Sequence, residues 1–247
     1  MDVKQYLDST YLKTAEQANL SEEKNTEVVA GFVQEAITHN FKLIMIRPDH
    51  VVLAKEMIQN ANSKVTIGTV IDFPNGDGAL EDKLLEAATA IENGADDLDF
   101  VIDYKAFQND EIDKVQLQVL EGTKLGLQHH KIVKWIIEVA ALNDHQIIQL
   151  SVLIKNVVMD HFKESDYEKV FVKSSTGFYK TPEGVPNAAT VPAIKLMLEN
   201  SFPLSVKAAG GVRTYQEAVE MIKLGVKRIG TSAAKAIANG EATTNDY

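Results

Sequence analysis

The segments KVTIGTVID (64–72), LEDKLLEAATAIE (80–92) and DDLDFVID (96–103) follow one another within forty residues and decide the fold. The first and third are short and mostly apolar on both faces, which is typical of strands in a parallel sheet covered on both sides. The second has the spacing of an amphipathic helix, and its predicted core-facing stripe consists of Leu84, Leu85, Ala88 and Ile91. Gly94 predicts the end of this helix. Together the segments predict a strand, a crossover helix and a parallel strand.

The same alternation continues along the chain. Further apolar runs are KLIMIRP (42–48), IVKWIIEV (132–139), KVFVKSS (169–175), LSVKAAG (204–210) and KRIGT (227–231). Helical patterns lie between the runs, at 25–39, 51–61, 111–127, 144–159 and 189–200. Thr214 and Glu217 are spaced as a capping box and begin one more helix, which Gly225 ends. QYLDST (5–10) supplies a short additional strand near the start.

Strands that alternate with helices predict a single closed (β/α)8 barrel, the TIM barrel, formed by residues 1–247 as one domain. The length of 247 residues agrees with the ~250 residues typical of this fold. An open, doubly wound sheet is the alternative, but no GxGxxG motif follows any predicted strand. The small and polar residues 240–247 (GEATTNDY) predict a flexible C-terminal tail.

Composition excludes several classes of protein. The sequence has no cysteine, which excludes disulfides, cysteine-ligated metals and thiol nucleophiles. Its net charge of −10 argues against nucleic acids and membrane surfaces as partners, because both attract basic proteins. The six histidines show neither HxH nor HExxH spacing, so we expect no metal site. With no signal-peptide pattern and no apolar stretch near the ~20 residues of a membrane span, we expect a cytoplasmic protein.

Two lysines interrupt apolar strands. Lys173 lies in VFVKSSTG and Lys207 in LSVKAAGG, 34 positions later, so the two are expected on adjacent strands. Two ammonium groups in an apolar barrel mouth disfavour each other's protonation, and burial lowers the pKa of both. One lysine can then be a neutral amine near neutral pH, as attack on a carbonyl to form a Schiff base requires. The alternative is that each lysine extends from its strand to the surface.

Asp99 is a carboxylate between Leu98 and Phe100, inside an apolar strand. A buried carboxylate costs several kcal/mol unless it is paired or hydrogen-bonded. Two interpretations stay open: a structural salt bridge to a strand lysine such as Lys134, or a proton relay with Lys207. Asp96 and Asp97, at the beginning of the same strand, are expected to be solvated.

Glycines follow the last two predicted strands. Gly210 and Gly211 come directly after the second lysine motif, and Gly230-Thr231-Ser232 ends the last strand. Glycine lets a ligand approach the backbone closely, and many barrels bind phosphate with the loops after their seventh and eighth strands. Ordinary turn chemistry explains either turn alone. Together the two turns favour a phosphorylated substrate.

With these residues, the sequence resembles the deoxyribose-phosphate aldolase family of class I aldolases. The resemblance covers nearly the whole chain. Its motifs, in order, are LDST (7–10), IRPDHV (46–51), FPNG (73–76), GADDLDFV (94–101), KWIIE (134–138), FVKSSTG (171–177), VKAAGGVR (206–213) and the final Tyr247. The two lysine motifs in combination are the most specific of these.

The resemblance implies a fold, a reaction and a set of catalytic residues. The fold is a TIM barrel, and the reaction is reversible cleavage of 2-deoxy-D-ribose 5-phosphate to D-glyceraldehyde 3-phosphate and acetaldehyde. Lys173 would form the Schiff base, Lys207 would lower the pKa of Lys173, and Asp99 would relay protons. No metal or organic cofactor is implied, and the family suggests a homodimer.

The resemblance also implies binding residues. The substrate phosphate would be held by Gly177, Gly210, Gly211, Gly230 and Ser232. Asp8 and Thr10 would support the site, and Tyr247 would reach back to assist proton transfer.

Three positions depart from the family's pattern. Phe178 stands where the family usually has a lysine, Ala233 replaces a second serine, and Met45 replaces a common cysteine. The first two departures predict weaker phosphate binding or a broader substrate range. The alternatives are another phosphate-binding barrel, such as a sugar-phosphate isomerase or a different Schiff-base aldolase, or a catalytically silent barrel that binds sugar phosphates.

Overall fold

Eight parallel strands close into a barrel in the order in which they occur along the chain. This computed structural model describes residues 2–183 and 189–241. The strands are β1 (Leu7–Thr10), β2 (Leu43–Ile46), β3 (Thr66–Ile71), β4 (Asp97–Val101), β5 (Ile132–Ile136), β6 (Val170–Lys173), β7 (Ser205–Ala209) and β8 (Arg228–Thr231). Pairing of β1 with both β2 and β8 closes the barrel. The predicted (β/α)8 barrel is confirmed, including its short first strand.

Helices cover the outside of the barrel. They are α1 (Ala15–Ala18), α2 (Glu22–His39), α3 (Val51–Asn60), α4 (Leu80–Asn93), α5 (Tyr104–Gln108), α6 (Ile112–Gln128), α7 (Asp144–His161), α8 (Val191–Ser201), α9 (Tyr215–Leu224) and α10 (Ala234–Asn239). The predicted capping box is present, because Glu217 N donates to Thr214 Oγ1 and Thr214 N donates to the Glu217 carboxylate. Gly94 and Gly225 end their helices in the left-handed conformation that glycine favours. Within the described ranges, no helix has the length and apolarity that a membrane crossing requires.

The buried face of α4 differs from the predicted stripe. Lys83, Ala87 and Ala90 are the buried residues of this helix, whereas Leu85 is 67% exposed. The cause is the Lys83 ammonium group, which donates to the carbonyl oxygens of Gly76 at 2.6 Å and Val101 at 3.0 Å. These contacts turn the lysine inward, and the small alanines on the same face allow the helix to pack against the barrel.

The barrel interior has an apolar side and a charged side. The apolar side is formed by Leu12, Leu43, Met45 and Val70, with Phe73 and Phe178 packed against them. Gly68 of β3 makes room for this cluster, because a Cβ atom there would lie 2.5 Å from Met45 Cε. From β4 round to β1, each strand instead carries at least one charged side chain on its interior face. This division places the ionisable groups together.

Candidate active site

Six strands direct charged side chains into the barrel. Successive residues of a strand face opposite sides, so positions two apart, such as Asp97 and Asp99 on β4, share the interior face. The buried charged residues of this interior are Asp8, Asp97, Asp99, Lys134, Lys173, Lys207 and Arg228. Lys173 and Lys207 are direct partners in the register of β6 and β7, which confirms that they occupy adjacent strands.

Asp99 lies between three ammonium groups. Its Oδ2 atom is 2.9 Å from Lys173 Nζ and 2.8 Å from Lys207 Nζ. Its Oδ1 atom is 2.8 Å from Lys134 Nζ. The two interpretations of Asp99 are therefore compatible, because one oxygen forms the salt bridge to Lys134 and the other contacts Lys173 and Lys207.

The remaining charges close a ring with Asp99. Lys134 Nζ is also 2.6 Å from Asp97 Oδ2, and Arg228 Nη2 is 3.3 Å from the same oxygen. Arg228 Nε lies 2.7 Å from Asp8 Oδ1, and the other Asp8 oxygen lies 2.7 Å from Lys207 Nζ. We call this set the charge ring; in order it consists of Arg228, Asp97, Lys134, Asp99, Lys207 and Asp8.

The charge ring shows that the prediction for Asp97 was wrong. Asp97 is 2% exposed and binds Lys134 and Arg228. Asp96 is partly buried, and its Oδ2 atom accepts a hydrogen bond from Ile67 N at 2.9 Å. Proximity to the strand's beginning did not expose Asp97, because its side chain shares the interior face with Asp99.

Lys173 is the surplus cation of the interior. The charge ring alternates three carboxylates with three cations and is formally neutral, so Lys173 adds one positive charge. Burial lowers the pKa of Lys173, Asp99 opposes that effect, and Lys207 lowers it further, to about 8. Burial also lowers the pKa of Lys207, but Asp8 and Asp99 outweigh it and leave that pKa raised. Lys173 is therefore the lysine that loses its proton more easily.

Two carboxylates of the charge ring, Asp8 and Asp99, stay ionised. Burial raises the pKa of Asp99, but Lys134, Lys173 and Lys207 outweigh burial and hold that pKa well below its usual value. Burial likewise raises the pKa of Asp8, and Arg228 leads the cations that lower it overall. Both groups can therefore accept hydrogen bonds but hold a proton only weakly.

Backbone features at the ends of β6 and β7 adjoin the lysines. Ser174 joins the two strands, since its Oγ donates to Ala209 O at 3.0 Å and accepts from Ala209 N at 2.9 Å. Gly177, Gly210 and Gly211 have φ angles of 82°, 83° and 79°, a region that favours glycine. These glycines lie beyond the carboxyl ends of the strands, where barrel active sites are built. Their assignment to the phosphate stays a prediction.

The other predicted site residues occupy different positions. Gly230 lies within β8, where a Cβ atom would be 3.2 Å from Lys207 Cε, so this glycine makes room for the lysine. Ser232 follows β8 in the turn before α10 and is half-buried. Thr10 Oγ1 donates to the carbonyl oxygen of Asp8 at 2.8 Å. Tyr247 lies outside the described residues.

Three residues around the site were missed as site residues by sequence reasoning. Asp97 and Arg228 belong to the charge ring, and Glu138 is a buried carboxylate two residues beyond the end of β5. Period-two alternation in β4 and β8 is the signal that could have placed Asp97 and Arg228 inside, since it aligns them with Asp99 and Gly230. In the part of the chain that the structure describes, no three His, Asp or Glu side chains are grouped to hold a metal ion.

An aromatic pair forms the mouth on the apolar side. The rings of Phe73 and Phe178 meet edge to face with centroids 5.1 Å apart. The Arg47 guanidinium lies 4.9 Å from the Phe73 ring centre and donates to the carbonyl oxygens of Leu12 and Phe73. Phe178 is thus held beside the site as part of an apolar wall.

Fold and site together define the class of protein: a (β/α)8-barrel with a buried lysine pair on adjacent strands, an arrangement suited to imine chemistry. No family model matches the chain. The chain is 35% identical over 226 residues to the deoxyribose-phosphate aldolase of Thermococcus kodakarensis. This aligned region covers 91% of this chain and 94% of that protein. It is 34% identical to deoxyribose-phosphate aldolase 1 of Staphylococcus aureus, with both chains fully covered. The chain belongs to the deoxyribose-phosphate aldolase family.

Solved structures agree with this assignment. A protein described as "QR15, an Aldolase" superposes with a TM-score of 0.79 at 30% identity, covering 97% of this chain and 95% of that one. The deoxyribose phosphate aldolase of Aeropyrum pernix, described as having a unique tetrameric structure, superposes with a TM-score of 0.77 at 26% identity. The superposition covers 96% of this chain and 89% of that one.

Imine formation at Lys173 should depend on pH. We expect the rate of borohydride-trapped adduct formation with acetaldehyde to rise through pH 8, because only the neutral amine attacks and the pKa of Lys173 is about 8. Lys207→Met removes a neighbouring positive charge that lowers this pKa, so the midpoint should move to higher pH. Lys195→Met, on the exposed face of α8, should leave the midpoint unchanged. An unmoved midpoint in Lys207→Met would contradict the electrostatic explanation.

The charge ring should also contribute to stability. Arg228→Met leaves Asp8 and Asp97 each without one cation, and we expect a loss of about 3 kcal/mol in the free energy of unfolding, the scale for breaking a buried ion pair. The matched control is Lys105→Met, which removes an exposed pair with Asp77 and should cost no more than about 1 kcal/mol. Urea unfolding measures both losses. Similar small losses in the two variants would show that the charge ring is dispensable for stability.

Proposed function

We propose that this protein catalyses the reversible cleavage of 2-deoxy-D-ribose 5-phosphate to D-glyceraldehyde 3-phosphate and acetaldehyde. The observation that carries the proposal is the position of Lys173: it is buried, faces Lys207 across adjacent strands, and shares Asp99 with it. Membership of the deoxyribose-phosphate aldolase family supports the choice of substrate.

The reaction begins with imine formation at Lys173. The neutral amine adds to C1 of the open-chain aldehyde, and loss of water gives a protonated imine. Lys207, whose pKa is raised, stays protonated and can donate a hydrogen bond to the departing oxygen. The protonated imine then serves as the electron sink, so the reaction needs neither a metal nor an organic cofactor.

Carbon–carbon bond cleavage follows. The C3 hydroxyl loses its proton, the C2–C3 bond breaks, and its electron pair neutralises the imine to an enamine while D-glyceraldehyde 3-phosphate leaves. We assign the proton transfer to Asp99 acting with Lys207 and a water molecule. Because its cationic neighbours hold the pKa of Asp99 low, Asp99 passes the proton on rather than retaining it. Protonation at C2 and hydrolysis of the imine release acetaldehyde and restore Lys173.

The remaining parts of the proposal concern binding and organisation. Backbone N–H groups at the carboxyl end of the barrel suit an anion, and we assign the phosphate to Gly177, Gly210, Gly211, Gly230 and Ser232. Asp8 orients Lys207 through their 2.7 Å contact, and Thr10 supports Asp8. We further propose that residues 1–247 form one domain with a polar tail at 240–247, and that Tyr247 assists proton transfer. We also propose that the protein forms a homodimer and is located in the cytoplasm.

Covalent trapping tests the assigned lysine. Wild-type protein treated with acetaldehyde and borohydride should gain one two-carbon adduct by intact mass, and Lys173→Arg should gain none, because arginine stays protonated. Cleavage of 2-deoxy-D-ribose 5-phosphate should fall by about four orders of magnitude or more in Lys173→Arg, the scale seen when a covalent nucleophile is removed. Lys195→Arg is the matched control. A wild type without a specific adduct would exclude the aldolase mechanism.

Substitutions of Phe178 test whether the substrate's phosphate lies near this position. Phe178→Lys places an ammonium group at the mouth, so KM for 2-deoxy-D-ribose 5-phosphate should fall about fivefold, as expected for ~1 kcal/mol from a partly exposed charge pair. KM for unphosphorylated 2-deoxy-D-ribose should not fall. Phe178→Met keeps the wall apolar and serves as the control. Equal changes with both sugars would show that the phosphate does not approach this position.

A further inference from the structure

Glu138 is a buried carboxylate outside the charge ring. It follows β5, is 1% exposed, and has a φ angle of 57° in the left-handed region. The chain on both sides of it is fixed by backbone hydrogen bonds to the end of β6: Ile137 N donates to Lys173 O at 3.0 Å, and Val139 N donates to Ser174 O at 2.9 Å. Glu138 is therefore held firmly beside the strand that carries Lys173.

The Glu138 carboxylate binds the segment that follows Lys173. Its Oε2 atom accepts hydrogen bonds from Thr176 N at 3.2 Å and from the Thr176 hydroxyl. That hydroxyl in turn accepts from Phe178 N at 3.0 Å. One carboxylate oxygen thereby fixes both residues that flank Gly177.

The segment is held from two sides, because Thr176 binds Glu138 while the Phe178 ring packs against Phe73 and the apolar cluster. No heavy atom lies within 4 Å of the position that a Cβ atom of Gly177 would take. Thr176 and Phe178 border a cavity of about 390 Å³ that Glu138 also lines. The hydrogen bonds to Glu138 thus hold the backbone N–H of Thr176 directly and, through the Thr176 hydroxyl, that of Phe178 on the other side of Gly177.

The energetic cost of Glu138 also favours a role beyond linking two loops. Its Oε1 atom is buried and has no hydrogen-bond partner among the described residues. Burial accordingly raises the pKa of this carboxyl group. Burying a carboxyl group costs free energy that a neutral side chain of the same size would avoid.

We infer that Glu138 is a positioning residue that holds the Thr176–Phe178 segment so that the backbone of Gly177 faces the substrate's phosphate. The inference rests on the proposed function, because it takes Gly177 to be part of the phosphate site. Among residues 2–183 and 189–241, no hydrogen bond or ion pair joins Glu138 to Lys173 Nζ or to the charge ring. Lys173 lowers the pKa of Glu138 electrostatically, but less than the hydrogen bonds from Thr176 do. Glu138 acts through Thr176 and should therefore affect phosphate binding more than imine formation.

Two reactions separate these effects. Acetaldehyde trapping by borohydride needs Lys173 but no phosphate, whereas KM for 2-deoxy-D-ribose 5-phosphate includes phosphate binding. For Glu138→Leu we expect KM to rise about tenfold, the value of one charge-assisted hydrogen-bond system, with the acetaldehyde trapping rate changed less than about twofold. Glu138→Gln keeps one acceptor oxygen, so its KM should rise less.

Variants of Thr176 provide the matched controls. Thr176→Val removes the hydroxyl at nearly constant volume and should reproduce the rise in KM, while Thr176→Ser retains the hydroxyl and should behave like the wild type. If Glu138→Leu does not fold, Glu138→Gln and the Thr176 pair test the same contact.

Other outcomes would overturn the inference. Parallel loss of trapping and of substrate binding would mean that Glu138 only maintains the structure, and an unchanged KM in all variants would mean that the contact is dispensable. A rise in KM that is equally large for unphosphorylated 2-deoxy-D-ribose would also overturn it, since the effect would not involve the phosphate. Absence of an acetaldehyde adduct in the wild type would instead contradict the proposed function itself.

Discussion

The meeting of Asp99 with three lysines is the interaction on which the rest of the site depends. Three ammonium groups in a closed, water-poor barrel would repel one another, and a lone carboxylate there would be costly. Asp99 resolves both problems only in part, because one carboxylate cannot neutralise Lys134, Lys173 and Lys207. Asp8 and Asp97, joined through Arg228, supply the missing negative charge. What remains is one surplus positive charge, and it falls on Lys173.

Much of this arrangement can be predicted from the sequence because it depends on the order and spacing of residues along the chain. The strand–helix rhythm predicts the barrel, and a spacing of one repeat places Lys173 beside Lys207. Asp99 was recognised because a carboxylate within an apolar strand needs an explanation. Thr214 and Glu217 mark a helix start through contacts only three residues apart.

The missed features depend on contacts between distant parts of the chain. Arg228 joins Asp8 and Asp97 across 220 and 131 residues, a contact that exists only once β8 has closed the barrel against β1. Lys83 turns the face of α4 because its ammonium group binds the carbonyl oxygens of Gly76, in the loop after β3, and of Val101, at the end of β4. No helical periodicity reveals these contacts. Glu138 binds Thr176, which lies in the loop after β6. Propensity and spacing describe single elements, whereas these pairings are properties of the closed barrel.

The surplus charge connects the electrostatics with the proposed reaction. An interior that disfavours the Lys173 ammonium also disfavours the protonated imine, because both carry one positive charge at the same nitrogen. Breaking the C2–C3 bond converts that imine into a neutral enamine, and the surplus charge leaves the interior once the C3 hydroxyl proton has been passed on through the water molecule. The charge ring therefore favours the deprotonated amine before the substrate arrives and favours bond cleavage after the imine has formed. A carboxylate added to neutralise the site completely would raise the pKa of Lys173 and stabilise the imine, and both effects would slow the reaction.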